Sequence, residues 1–180
     1  MHIYRSNSGG GLEWTIRDSS GSNCLSTSPY SIADYTGAGT WDVYLMSCDI
    51  QNSIARVYKN GTSTGSFTFN TGLTPDYASK AVAIGSEAGA ASDVFNGELG
   101  FFYLNTSYID FSQESNRNLF VDQLGYPKDL TPAIDAGDIP DPLIYMKFDD
   151  TSALGTNSGT GGDFTVNGTV TAGADVDPNA

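Results

Sequence analysis

Carboxylates far outnumber the basic side chains in this sequence, 21 aspartates and glutamates against 8 lysines and arginines, so acid–base chemistry is the first candidate. Hydrolysis of a glycosidic bond needs two carboxyl groups facing each other across a cleft, at roughly 5–10 Å. Glu13 and Glu98 stand singly in strand-like stretches and Glu87 in a loop, and the one histidine, His2, lies at the terminus. This argues against a carboxylate-pair hydrolase. A lyase would call for a tyrosine with an arginine or histidine in a groove. Tyr44, Tyr58, Arg17 and Arg56 supply the residue types, but alternating strands assemble such sets by chance. Cys24 and Cys48 are too few for a disulfide framework and are not spaced as a zinc or redox pair. Cys48, in the strand-like YLMSCD, reads either as a small interior side chain or as half of a Cys24–Cys48 disulfide. With no histidine to pair with either thiol, cysteine nucleophile chemistry drops out. The expectation is that the chain is not an enzyme.

The charge has a direction along the chain. Residues 1–80 carry five basic and six acidic side chains (-1), and residues 81–180 carry three and fifteen (-12), which together give the net charge of -13. So acidic a chain has no footprint for a phosphate backbone, and nucleic acid is excluded as an expected partner. It also argues against simple electrostatic capture of an acidic polysaccharide. MHIYRSNSGG lacks the apolar stretch of a secretory signal, and no run approaches the roughly 18 apolar residues of a membrane span. A soluble chain is expected, exported only if something else carries it.

The elements that would position any site read as short strands. LEWTIR alternates apolar and polar over Leu12–Arg17, and DSSGSN follows as a turn. In WDVYLMSCD, Trp41, Val43 and Leu45 fall on one face and Asp42, Tyr44 and Met46 on the other, the second being partly apolar, as expected if something covers it. SIARVYKN is a third strand, and Asn60-Gly61 after it suits a type I′ hairpin because Asn tolerates, and Gly freely adopts, positive φ. The return strand is expected in GSFTFN. AVAIGS and GELGFFYL add two more, joined by EAGAASDVFN. The spacing predicts an all-β fold, an antiparallel two-sheet jelly-roll sandwich, with a closed barrel as the alternative.

After about residue 104 the pattern changes. FSQESNRNLFVDQLGYP predicts one short helix over 112–123, with Ser112 as N-cap, Gly125 as terminator and Pro127 as a block to resumption. DLTPAIDAGDIPDP holds three prolines and four aspartates and is expected to resist a regular element. PLIYMKFDD reads as a strand, and a glycine-rich tail follows around the short strand DFTVNG. The predicted organisation is therefore a β-sandwich over 1–110, a short helix packed on it over 111–127, a Pro/Asp-rich linker over 128–142, and a C-terminal strand with a Gly-rich extension over 143–180.

Trp41, Tyr58 with Asn60-Gly61, Ile84-Gly85, and Phe95 with Gly97 occur in an order that resembles the laminin-G-like, concanavalin-A-like jelly roll. The resemblance covers about 12–110, and its motifs are individually weak but jointly ordered. The segment from YIDFSQESNRNLFVDQLGYP to GTGGDFTVNG looks like one that follows such domains in bacteriophage virion proteins. The family's strands ahead of Leu12 are missing here. Their positions would be filled by PLIYMKF, by another subunit, or by nothing, and empty positions would invite association.

The resemblance implies a set of candidate site residues. Many members hold a structural calcium at a loop rim through aspartates and carbonyls, which would place Asp93 at such a site with Asp49 or Asp42 as partner. No other cofactor is expected. Carbohydrate binding by this fold would use exposed aromatics and turn amides, here Tyr35, Tyr77, Asn60 and Asn96. Jelly-roll glucanases carry a Glu-x-Asp-x-x-Glu-like cluster on one strand, which this sequence lacks. The function implied is a noncatalytic structural or decoration component of a bacteriophage virion, tail-associated or surface-exposed, acting through contacts with other virion chains in a homo-oligomer or larger assembly. A glycan-binding adhesin is the first alternative and a polysaccharide-degrading enzyme the second.

Overall fold

The computed structural model describes residues 2–5, 12–27, 42–77, 83–84, 99–123 and 126–171. The chain divides into two compact units, Met1–Ala83 with Tyr108–Asn118, and Ile84–Ser107 with Leu119–Ala180. Among the described residues the architecture is mostly strands in antiparallel sheets, with two short helices.

In the first unit β1 (His2–Arg5), β2 (Leu12–Arg17), β3 (Asn23–Thr27) and β7 (Phe67–Phe69) make a four-stranded sheet in the order β1-β2-β3-β7. A second sheet joins β4 (Tyr44–Asp49), β5 (Ile54–Lys59) and β6 (Thr62–Ser63). Ile16 lies opposite Leu25, and Leu25 opposite Phe69, so one face of the first sheet carries a continuous apolar row. Trp14, Ile16, Cys24 and Leu25 from this sheet share one buried cluster with Val57 of β5 and Ile50 just beyond β4. Tyr44, Met46, Cys48, Ala55, Phe67 and Phe69 pack against it. The two sheets thus bury their apolar faces in common, the ordinary way for a half-apolar sheet to leave water.

The turns follow local chemistry. Between β2 and β3 the Asp18 carboxylate accepts from Ser22 N at 2.8 Å and Ser20 Oγ at 2.7 Å, while Gly21 takes φ +89. After β5, Asn60 and Gly61 have φ of 49 and 78, the two positive values a type I′ turn requires. The hairpin expected at this dipeptide is present, but its return strand is the two-residue β6. GSFTFN belongs elsewhere: the chain crosses at Thr64–Ser66, and β7 pairs with β3 in the other sheet. Phe67 is drawn there by Trp14, whose ring it meets edge-on at 6.2 Å. The N-terminus also differs from expectation, because HIYR pairs with β2 as β1 where no strand ahead of Leu12 was expected.

The faces of β4 are covered on both sides, and not in the expected order of importance. Tyr44, Met46 and Cys48 point to the shared cluster. They are partly buried, whereas Val43, Leu45 and Ser47, on the opposite face, are buried. Ser47 Oγ donates to Ile109 O and accepts from Ile109 N, and the Arg117 guanidinium lies 4.5 Å from the Tyr58 ring centroid. Residues 109–117 therefore lie over that face. The helix expected over 112–123 is a single turn, α1 (Glu114–Arg117). Ser112 does not cap it but binds the Asp110 carboxylate through its amide and hydroxyl. Phe120 and Val121 are adjacent and both buried. Lys128 N donates to Phe120 O and Asp122 N to Tyr126 O, so the chain folds back there instead of winding on.

In the second unit β8 (Phe102–Leu104) pairs with β9 (Ile144–Met146). The tail strand thus sits in neither sheet of the first unit. The Pro/Asp-rich stretch does contain a regular element, α2 (Thr131–Asp135), with proline in its first turn, where its missing N–H costs nothing. Leu130 and Ile139 on either side are buried with Phe120, Ile144, Tyr145 and Met146. Tyr103 meets Phe120 edge-on at 5.4 Å and donates its hydroxyl to Pro140 O at 2.7 Å. DFTVNG forms no strand. No helix among the described residues is long and apolar enough to cross a membrane.

Candidate functional site

The candidate residues in the first unit are distributed along β4 and its hairpin. Asp42 pairs with Lys59 Nζ at 3.3 Å and accepts from Asn60 Nδ2 at 2.8 Å, while Asn60 Oδ1 accepts from Val43 N at 2.8 Å. Both ends of the Asn60 amide are thus engaged in tying the hairpin tip to the chain at the start of β4. Asp49 accepts from the backbone and side-chain amides of Asn52 in the turn after β4, and these bonds hold its carboxyl below the usual carboxylate range. Asp42 and Asp49 are seven residues apart along extended chain, about 23 Å at strand rise. No single ion takes both. Among the described residues no three His, Cys, Asp or Glu side chains come together as a metal-holding group. Asp93, Tyr35 and Asn96 lie outside the described residues.

Tyr77 is 38% exposed. Its hydroxyl is pushed up to about 12 by burial, with smaller contributions from Cys48 and Cys24. The side chain is thus partly exposed and stays protonated at neutral pH. Both cysteines are free thiols. Burial, reinforced by Asp49, raises Cys48 to about 11, and burial followed by Asp18 raises Cys24. A rise from 9.0 to about 11 cuts the thiolate at neutral pH about a hundredfold. An aromatic disulfide reagent is expected to leave both thiols unmodified in the folded chain and to label both in urea. Rapid stoichiometric labelling without urea would contradict the assignment.

Two polar clusters in the second unit escaped the sequence reading. The Tyr145 hydroxyl accepts from Leu130 N at 2.9 Å and donates to Asp129 Oδ1 at 3.1 Å, and Lys147 Nζ sits 3.2 Å from the same oxygen. Partial burial works to raise the Asp129 carboxyl, but bonds from Thr131 N and Oγ1, with Lys147 and Tyr145, outweigh it and hold it at about 2. Burial pushes Tyr145 up to about 12. A tyrosine protonated at every ordinary pH, locked between an amide and a carboxylate, anchors the start of α2 to β9. The second cluster is the Asn157 side chain against β9, where it binds Tyr145 N and Leu143 O. Neither has a sequence motif, because each is assembled from residues distant along the chain.

The Asp129 carboxyl makes acid sensitivity calculable in sign. Its folded value lies below 3.8, so its contribution is whole above that pH and is lost as pH falls through about 2. With the side chain 59% exposed, screening reduces this to about 1 kcal/mol. Urea midpoints of the wild type and Asp129→Asn are expected to differ at about pH 5 and to converge towards about pH 2. A gap unchanged across that range would contradict it.

Fold and site together define an all-β protein of antiparallel sheets whose described polar side chains chiefly hold turns and edges. Comparison with protein-family models, curated proteins and solved structures finds no match for this chain.

Proposed function

We propose that the chain is a noncatalytic structural or decoration component of a bacteriophage virion, tail-associated or surface-exposed, built on a laminin-G-like jelly-roll sandwich. It acts through protein–protein contacts in a homo-oligomer or larger assembly. The observation that carries this reading is the employment of its polar residues: Asp42, Asp49 and Asn60 are engaged in the hairpin and turns at the ends of β4. A scaffold that presents surface to neighbours needs rigid turns of this kind, whereas a site for a small ligand needs unspent polar groups. Val166 and Val170, 48% and 54% exposed, add apolar side chains available for contact. Immunogold labelling of intact particles, with light scattering of the isolated chain, tests the reading. Label on the tail or surface and a multimer in solution are expected. Particles free of label, with a monomer at high concentration, would overturn it.

The partly exposed Tyr77 favours a second reading, a glycan-binding adhesin. A glycan array would then show binding that is lost on Tyr77→Ala or Tyr35→Ala. Silence across host-envelope glycans would end this alternative.

A further inference from the structure

The sequence contains three Asn-Gly pairs, at 60–61, 96–97 and 167–168, and the structure places two of them in opposite circumstances. Asn60 has both ends of its side-chain amide fixed, Oδ1 by Val43 N and Nδ2 by the Asp42 carboxylate, each at 2.8 Å. Its own backbone N donates to Val43 O at 3.0 Å. Asn167 is exposed and outside any strand or helix, and among the described residues its one side-chain bond is a long one, Nδ2 to Thr165 O at 3.3 Å. Gly168 takes φ +84, has open space where a Cβ would stand, and its N–H meets no acceptor among the described residues.

We propose that Asn167 is a site of spontaneous deamidation, giving aspartate and isoaspartate, and that the hairpin protects Asn60 from the same reaction. The Gly168 backbone nitrogen attacks Cγ of Asn167. The N–Cγ bond forms, the Cγ–Nδ2 bond breaks, and the amide proton leaves with the side-chain nitrogen as ammonia. Water then opens the cyclic imide. Attack at Cγ restores the normal backbone as aspartate, and attack at the main-chain carbonyl leaves Gly168 joined through Cγ as isoaspartate. No oxidant or cofactor enters. Glycine is the favourable follower because it places no Cβ against the closing ring, and a nitrogen free of an acceptor has no bond to give up first. At Asn60 two hydrogen bonds must break before Cγ can swing, which slows closure about tenfold or more. Each conversion at Asn167 adds a negative charge to the acidic half of the chain, and the isoaspartate also adds a methylene to the backbone.

The full chain, incubated folded at mildly alkaline pH, is mapped by peptide mass spectrometry with isoaspartyl methyltransferase labelling. Asn96-Gly97 is read in its own peptide and does not enter the comparison. Asn167 is expected to convert about tenfold faster than Asn60 in the folded chain, the two becoming comparable in urea. Gly168→Ala is expected to slow conversion at Asn167 several-fold and to leave Asn60 unchanged. Equal rates in the folded chain, a rate difference that persists unaltered in urea, or a Gly168→Ala chain converting at the original rate would each overturn the proposal.

Discussion

Replacing Asn157 by alanine is expected to loosen the edge of β9 and to cost about 2–4 kcal/mol. The Asn157 carbonyl oxygen accepts from Tyr145 N at 2.8 Å and Gly159 N at 2.9 Å, and its Nδ2 donates to Leu143 O at 3.1 Å and Gly162 O at 3.3 Å. All four positions of one amide are thereby used. The loop it organises runs along β9 through Ser158 N to Tyr145 O, Thr160 N to Pro142 O and Gly161 N to Leu143 O, all at 2.9 Å. A two-stranded sheet is marginal alone, so a third line of backbone bonds matters. Alanine leaves the amide of buried Tyr145 without its acceptor, at about 1–3 kcal/mol, and weakens the neighbouring bonds, while the exposed Gly162 carbonyl recovers water. Gly159→Ala should act through the same edge by a steric route, since its Cβ would stand 2.8 Å from the backbone of Pro142 and Leu143. Amide exchange at Tyr145, read with the urea transition, measures both variants. Asn157→Asp, which keeps the acceptor and loses the donor, should fall between wild type and alanine. A loss below about 0.5 kcal/mol for Asn157→Ala would contradict this account.

The second large effect is expected at Leu25→Ala, at about 2–5 kcal/mol. Leu25 is fully buried and lies opposite Ile16 on one side and Phe69 on the other. It is the point where three strands of the first sheet contribute to the cluster shared with Val57 and Ile50. Truncation removes about three methylenes' worth of burial and leaves a void that flanking strands cannot close without losing register. The urea midpoint should fall with little change in slope, because the surface exposed on unfolding is nearly the same. Thr68→Ala, one residue along β7 and exposed, serves as the comparison and should change stability by less than about 0.5 kcal/mol. Equal effects from the two would mean that the apolar row is not a core.

Several features were legible because they depend on only a few neighbouring residues. The two positive φ values at Asn60 and Gly61 are a demand of the tight hairpin itself, and the Asp18–Ser22 turn is closed by its own side chains. The period of two in LEWTIR and YLMSCD reports strands whatever they pack on. The candidate site was less legible. Asn60 read as a turn amide open to a ligand and Asp42 as a strand residue that could partner a calcium, and only the tertiary structure showed that they bind each other and that Asn60 binds Val43 N just ahead of β4. Asn157 and the Tyr145–Asp129 pair carried no signal, since their partners lie 12 to 16 residues away in irregular chain.

The sequence by itself determined that this chain is built of short strands and tight turns, that two of those turns fall at DSSGSN and Asn60-Gly61, and that its second half is strongly acidic. Tertiary structure decided the rest. It sent GSFTFN across to pair with β3, took HIYR as an edge strand, and covered YLMSCD on both faces, fully on one and partly on the other. It wound one helical turn within a proline-rich stretch and cut the expected helix to Glu114–Arg117. The division has one physical cause. Turn geometry and strand period are set by backbone sterics within a few residues, whereas strand pairing, the choice of face and the partners of a polar side chain are free-energy differences between contacts distant in sequence, which become defined only when the sheets close on one another.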